Sequence, residues 1–261
     1  MAATTGTRQV SRIFGRPGRR RGLTAAALLL AVVLRGDSVL LFTDAAAGPL
    51  RHAQFDPAQT YYLYCPSSPA PAAGWPLVLS LHSPRASAVG DFALWRPYAQ
   101  QEPFVLLAPK FPDPDDDLFD NGEDRQLVQL IQEVSRDCSI DRSKMLVSGF
   151  GLGGSAAARL VFAHPQMIHT AMLHSPAAPL PQVSRRVDRS HTMFYIAGAS
   201  GDSAAAMRMK SFAQTLRRKG YQVELHLVPG KRQSIASRSV VDLVRLVRGM
   251  ATPIAKPRQS Q

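Results

Sequence analysis

The sequence predicts an α/β protein with a mostly parallel central sheet and helices on both faces. Three observations carry this prediction. From residue 60 onward, short apolar runs rich in strand formers alternate with segments of helical period, the pattern of crossover units. Two of those segments repeat apolar residues at i, i+3, i+4 and i+7, which is one face of a helix: Leu127, Leu130, Ile131, Val134 and Val240, Leu243, Val244, Val247. Once the termini are set aside, about 200 residues remain, the size of one domain.

The predicted strands are Tyr61–Tyr64, Leu77–Leu81, Phe104–Leu107, Met145–Val147, Met172–Leu173 with its neighbours, Met193–Ile196 and Val223–Val228. The helices between them are expected over 91–101, 123–137, 154–164, 204–219 and 236–250. A Pro/Asp loop is expected over 109–122 and a Pro/Ser/Arg loop over 176–190. The expected organisation is a leader over 1–47, a linker over 48–59, one domain over 60–250 and a disordered tail over 251–261. No internal repeat is found.

The chain has 261 residues, with Lys+Arg 31 against Asp+Glu 19 and a formal net charge of +12. The excess is terminal. Residues 1–35 hold seven Arg and no acid, residues 231–261 hold seven Lys/Arg against Asp242, and residues 36–230 sum to −1. An average over the chain would suggest a nucleic-acid partner, but this distribution does not. The Arg-rich residues 1–22 precede an apolar run, Leu23 to Leu34, and the small residues Ala45-Ala46-Ala47 follow. That order reads as a secretory signal, or as a membrane tether through residues 23–42. An organelle transit peptide is the alternative reading. The run is shorter than the roughly 20 residues that span a bilayer core. The two cysteines, Cys65 and Cys138, are either a pair formed in an oxidising compartment or two buried thiols.

The segment Met145 to Ser155 (MLVSGFGLGGS) places a glycine-rich turn between a strand and an Ala-rich helix. Gly149, Gly151 and Gly154 meet the dinucleotide fingerprint G-x-G-x-x-G. That motif requires an acid at the tip of the next strand, which instead ends Leu173-His174-Ser175-Pro176. A dinucleotide-binding oxidoreductase therefore stands as an alternative only. The other reading is the nucleophile elbow G-x-S-x-G with its serine replaced. Its context is Tyr61 to Pro66, Pro76 to His82, Phe104 to Pro109, Ile140-Asp141, Phe194 to Gly198 and Val228-Pro229-Gly230. In that order and spacing the body resembles the α/β-hydrolase superfamily, and within it secreted esterases of the polyhydroxybutyrate-depolymerase and feruloyl-esterase type.

The resemblance implies a catalytic serine, an acid and a histidine, in which the histidine takes the serine's proton and the acid orients the imidazole. Position by position, the nucleophile slot is Gly151, which has no side chain. The histidine slot is Gln233, which cannot accept a proton at neutral pH. The acid slot is Asp202, for which a helix N-cap is the competing and preferred role. The oxyanion donors would be the N–H of Leu152 and one from the loop Ser83-Pro84-Arg85, where Pro84 has none. Ser155 lies four residues past the elbow and should point away from its tip. The expectation is an exported, non-catalytic protein of esterase type that binds or scaffolds, with a small ester or acyl group as the ligand a remnant pocket would suit. An active serine hydrolase with an unrecognised nucleophile is the alternative. No cofactor or metal is implied. Asp113, Asp115, Asp117 and Asp124 have calcium-loop spacing, but Leu118 stands where that loop needs glycine, so a solvated acidic loop is expected. His82, His174 and His226 read as structural.

Overall fold

The computed structural model describes residues 50–83, 86–110, 122–177, 192–230 and 242–249. The chain divides into two units, Met1–Leu40 and Leu41–Gln261, and every described residue belongs to the second. The leader, the tail, the acidic loop from Asp113 to Asp120, and Pro84 and Gln233 lie outside the described residues.

The elements run β1 (Arg51–His52), β2 (Thr60–Tyr64), β3 (Trp75–Leu81), α1 (Ala88–Gln101), β4 (Val105–Lys110), α2 (Glu123–Asp137), β5 (Ile140–Phe150), α3 (Leu152–Ala163), β6 (Thr170–His174), β7 (Met193–Ala199), α4 (Ser203–Arg218) and β8 (Gln222–Val228). A last helix, α5, spans 242–249. The strands form one eight-stranded sheet in the order β1-β2-β4-β3-β5-β6-β7-β8. β1 and β2 are antiparallel to their neighbours, and all pairs from β4 to β8 are parallel.

Helices cover both faces, so the central strands are apolar on both sides rather than alternating. One core layer packs Phe92, Trp95 and Ala99 of α1 and Leu243, Leu246 and Val247 of α5 on Val78, Leu106, Leu146, Met172 and Tyr195 of the sheet. The opposite layer packs α2, α3 and α4 on Leu77, Leu79, Val147, Leu173, Phe194 and Ile196. In α2 the predicted stripe Leu127, Leu130, Ile131 and Val134 is the buried one. Helix α1 starts at Ala88, three residues before the expected start, because the Ser87 side chain caps it by accepting from the Gly90 N–H at 3.2 Å.

Part of the segment over 48–59 packs against the sheet. Arg51 and His52 pair with β2, and Ala53 and Gln59 are buried. Buried Glu133 of α2 holds this segment by accepting from the Gln54 N–H at 2.8 Å. Cys65 follows β2, Cys138 caps α2, and the two form a disulfide with a Cα–Cα distance of 5.8 Å. That spacing suits the bond and decides between the two readings that the sequence leaves open. Among the described residues, no helix is long and apolar enough to cross a membrane.

Candidate active site

The parallel strands direct their C-terminal ends to one edge of the sheet, where ligands bind in open α/β folds. There β5 ends at Phe150 and α3 begins at Leu152, leaving Gly151 alone to turn the chain, with φ 57° and ψ −118°. This is strained backbone that glycine adopts at little cost. The turn is also crowded. A Cβ on Gly149 would lie 2.2 Å from the Gly153 carbonyl oxygen, and a Cβ on Gly153 would lie 2.0 Å from that of Leu81. The G-x-G-x-G spacing therefore serves the close approach of β3, β5 and α3. The end of β6 seals the turn: the Gly151 N–H donates to the His174 carbonyl at 2.9 Å, and the Ala177 N–H donates to the Gly151 carbonyl at 3.2 Å.

The other predicted positions fall as follows. Ser155 is buried inside α3, and its hydroxyl points back toward the Gly151 carbonyl, at 3.5 Å. Leu152 opens α3, whose Gly153 presses on the carbonyls of Leu81 and His82, so the strand end leading to Ser83 adjoins the elbow. The His82 Nδ1–H donates to the Ser83 carbonyl at 3.0 Å. Asp202 is the N-cap of α4, its carboxylate accepting from the Ala205 N–H at 2.9 Å. His226 lies within β8, stacked on the Tyr195 ring at 4.7 Å and 3.3 Å from Glu224. Asp124 of the acidic stretch contacts His164 at 2.9 Å. Among the described residues, no group of three or more His, Cys, Asp or Glu is placed to hold a metal ion.

No protein-family model matches this sequence, and no curated protein matches it. Solved structures match over most of its length. A carboxylesterase from Mesorhizobium loti aligns with TM-score 0.60 and 17% identity, over 77% of this chain and 99% of the esterase. The CE1 ferulic acid esterase of Anaeromyces mucronatus gives 0.60 and 15%, over 78% and 90%. The Francisella virulence factor BioJ gives 0.62 and 12%, over 78% and 83%. The chain has the α/β-hydrolase fold.

In this α/β-hydrolase fold glycine stands at the apex of the turn between β5 and α3. A string of polar side chains that the sequence did not single out lies beneath it, on the α1 face of the sheet. Ser80 of β3 donates to Asp91 of α1 at 3.2 Å, Ser148 of β5 is the register partner of Ser80, and the Ser148 hydroxyl lies 3.3 Å from His174 Nε2. Burial pushes the Asp91 carboxyl up to about 6 against the pull of nearby His82, and burial pushes the His174 imidazole down to about 4. A serine and a histidine thus do meet under the hydrolase elbow. Both are almost fully buried (1% and 2% exposed). The signal for this string was Ser80 and Ser148, two polar residues inside otherwise apolar strand runs. Ser175 at the end of β6 has φ 46°, the only non-glycine residue with positive φ among the described residues.

Proposed function

We propose that this protein is an exported or membrane-tethered, esterase-type α/β-hydrolase-fold protein that does not catalyse hydrolysis and keeps the fold to bind or scaffold. The observation that carries the reading is Gly151: the elbow's backbone is intact and its apex lacks a side chain. A hydrolase of this kind needs an oxygen there to attack the carbonyl. Gln233 in the histidine slot removes the base, and Asp202 is engaged as a helix cap. A site without its triad retains about 10³–10⁴-fold catalysis over water, too little for a dedicated esterase. The disulfide between Cys65 and Cys138 supports export, because such bonds persist in oxidising compartments. A small ester or acyl group remains the ligand class that a remnant pocket at the elbow would suit.

One observation favours the alternative of an active serine hydrolase, namely the approach of Ser148 to His174. Their burial weighs against it. An ester-substrate assay combined with a fluorophosphonate label separates the two readings. The expected result is no labelled serine and no turnover in the wild type. Turnover and labelling at residue 151 are expected in the Gly151→Ser, Gln233→His double variant. Labelling of Ser148 or any other serine in the wild type overturns the proposal.

A further inference from the structure

The charge of −1 over residues 36–230 is an average that hides a one-signed surface. Between residues 203 and 219, which cover α4 and its C-cap, the chain holds Arg208, Lys210, Arg217, Arg218 and Lys219 and no acid. The helix buries Ala206, Met209, Phe212, Ala213 and Leu216, and it exposes Met207, Arg208, Lys210, Arg217 and Arg218. At 100° per residue, Met207 and Arg218 lie at the centre of the outward face. Arg208 and Lys219 flank them on one side, Lys210 and Arg217 on the other. Met207 is 66% exposed, so an apolar side chain stands on the same outward face as the cations and directly beside Arg208 in the chain.

Nothing described neutralises the central charges. Arg217 donates to the Val223 carbonyl at 3.0 Å and Arg218 to the Thr215 hydroxyl at 3.1 Å, both neutral acceptors. The acids nearest in sequence are engaged elsewhere: Asp202 caps α4, and Glu224 pairs with Arg245 at 2.6 Å. The helix dipole favours cations in the last turn, which accounts for Arg217, Arg218 and Lys219 but not for Arg208 and Lys210.

We propose that the outward face of α4 docks on a bilayer bearing anionic headgroups, with Met207 entering the interfacial layer. Charge complementarity selects an anionic partner. The apolar centre selects a bilayer, because a helix lying in the interface combines basic side chains with an apolar one that inserts. A single-stranded nucleic acid would call for stacking aromatics, and α4 exposes none. The face is convex and about 24 Å long, a shape that suits a flat surface. Weak membrane signals hold stably only in combination. The apolar run in the leader and the α4 face would form such a combination, although the proposal does not require the leader to remain on the chain. It is also independent of whether the elbow is inert.

The test uses the full chain with its disulfide intact and vesicles of phosphatidylcholine with and without phosphatidylserine. Each cation at an anionic surface contributes about fivefold, so Arg208→Gln, Lys210→Gln and Arg218→Gln together should weaken binding to the serine-lipid vesicles on the order of a hundredfold. Lys256→Gln with Arg258→Gln, in the tail, should leave most of the binding intact. As a second measurement, an environment-sensitive dye on Met207→Cys should shift to the blue only with serine-lipid vesicles, a readout that stands even if the triple variant fails to fold. Undiminished binding of a folded triple variant overturns the proposal, as does an unshifted dye on vesicle-bound protein. So does a triple variant that loses duplex or single-stranded nucleic-acid binding, or self-association, while its vesicle binding is unchanged.

Discussion

Gly153 shows how a single missing Cβ sets the site. With the Leu81 carbonyl 2.0 Å from where that atom would lie, Gly153→Ala must move backbone rather than a flexible side chain. We expect a loss of about 1–3 kcal/mol in denaturant unfolding, the usual cost of overpacking. Two ionisable groups beneath the turn, His174 and Asp91, predict opposed pH dependences. His174 is held near 4, below the ordinary value of about 6.5. Its unfolded form takes up a proton first, so its contribution is full above about 6.5 and is lost as pH falls toward 4. Asp91 is held near 6, above its ordinary 3.8. Its folded form takes up a proton first, so the cost of burying its charge is relieved over nearly the same acid window. The slopes oppose each other, each approaching about 1.4 kcal/mol per pH unit. Relative to wild type, His174→Leu should gain stability on acidification from pH 6 to 4 and Asp91→Asn should lose it. Melting curves across that range check the sign, and equal slopes in the two variants would refute the assignment.

At the scale of elements, two attachments hold the periphery to the central strands. The disulfide ties the end of β2 to the end of α2 across 73 residues. The chain-entropy relation for a loop of that length gives about 4 kcal/mol, which is the drop expected in denaturant unfolding of the Cys65→Ser, Cys138→Ser variant. Helix α5 is held by the buried hydrogen bond from the Tyr195 hydroxyl to Asp242, with ion pairs from Arg245 to Glu224 and from Arg248 to Glu102. The two pairs lie largely in solvent and contribute little. Tyr195→Phe removes a hydrogen bond to a buried carboxylate and should cost about 1.5–3 kcal/mol, with faster hydrogen exchange confined to α5. Elements with a strong period were legible in the sequence. Helix α2 follows from its apolar stripe to the residue. Strand β1 was not legible, because two exposed residues carry no pattern and the pairing with β2 comes from a partner eight or more positions away.

The whole molecule has the α/β-hydrolase fold, and glycine stands at the turn between β5 and α3. The two core layers form from strand runs and helix stripes away from Gly151, so a side chain added there leaves them in place. A Gly151→Ser single variant should therefore fold, at a cost of about 1–3 kcal/mol for a side chain at φ 57°, and on the proposed reading, with Gln233 as the residue at the histidine position, it should show no ester turnover. Strong turnover by that single variant would show that a base is already present.

The sequence by itself determined the alternation of strands and helices, the position of the turn at Gly151 and the absence of a serine there. These are properties of residue type and local period, and they do not depend on what lies opposite in space. The folded assembly was needed to show that Cys65 and Cys138 pair, that Asp202 caps a helix, that Asp91 meets Ser80 and Ser148 meets His174 beneath the turn, and that Met207 shares the outward face of α4 with its cations. Each of these rests on groups brought together by sheet register or helix packing. Burial and partnership are set by that assembly, and a linear chain carries them only as separate residues.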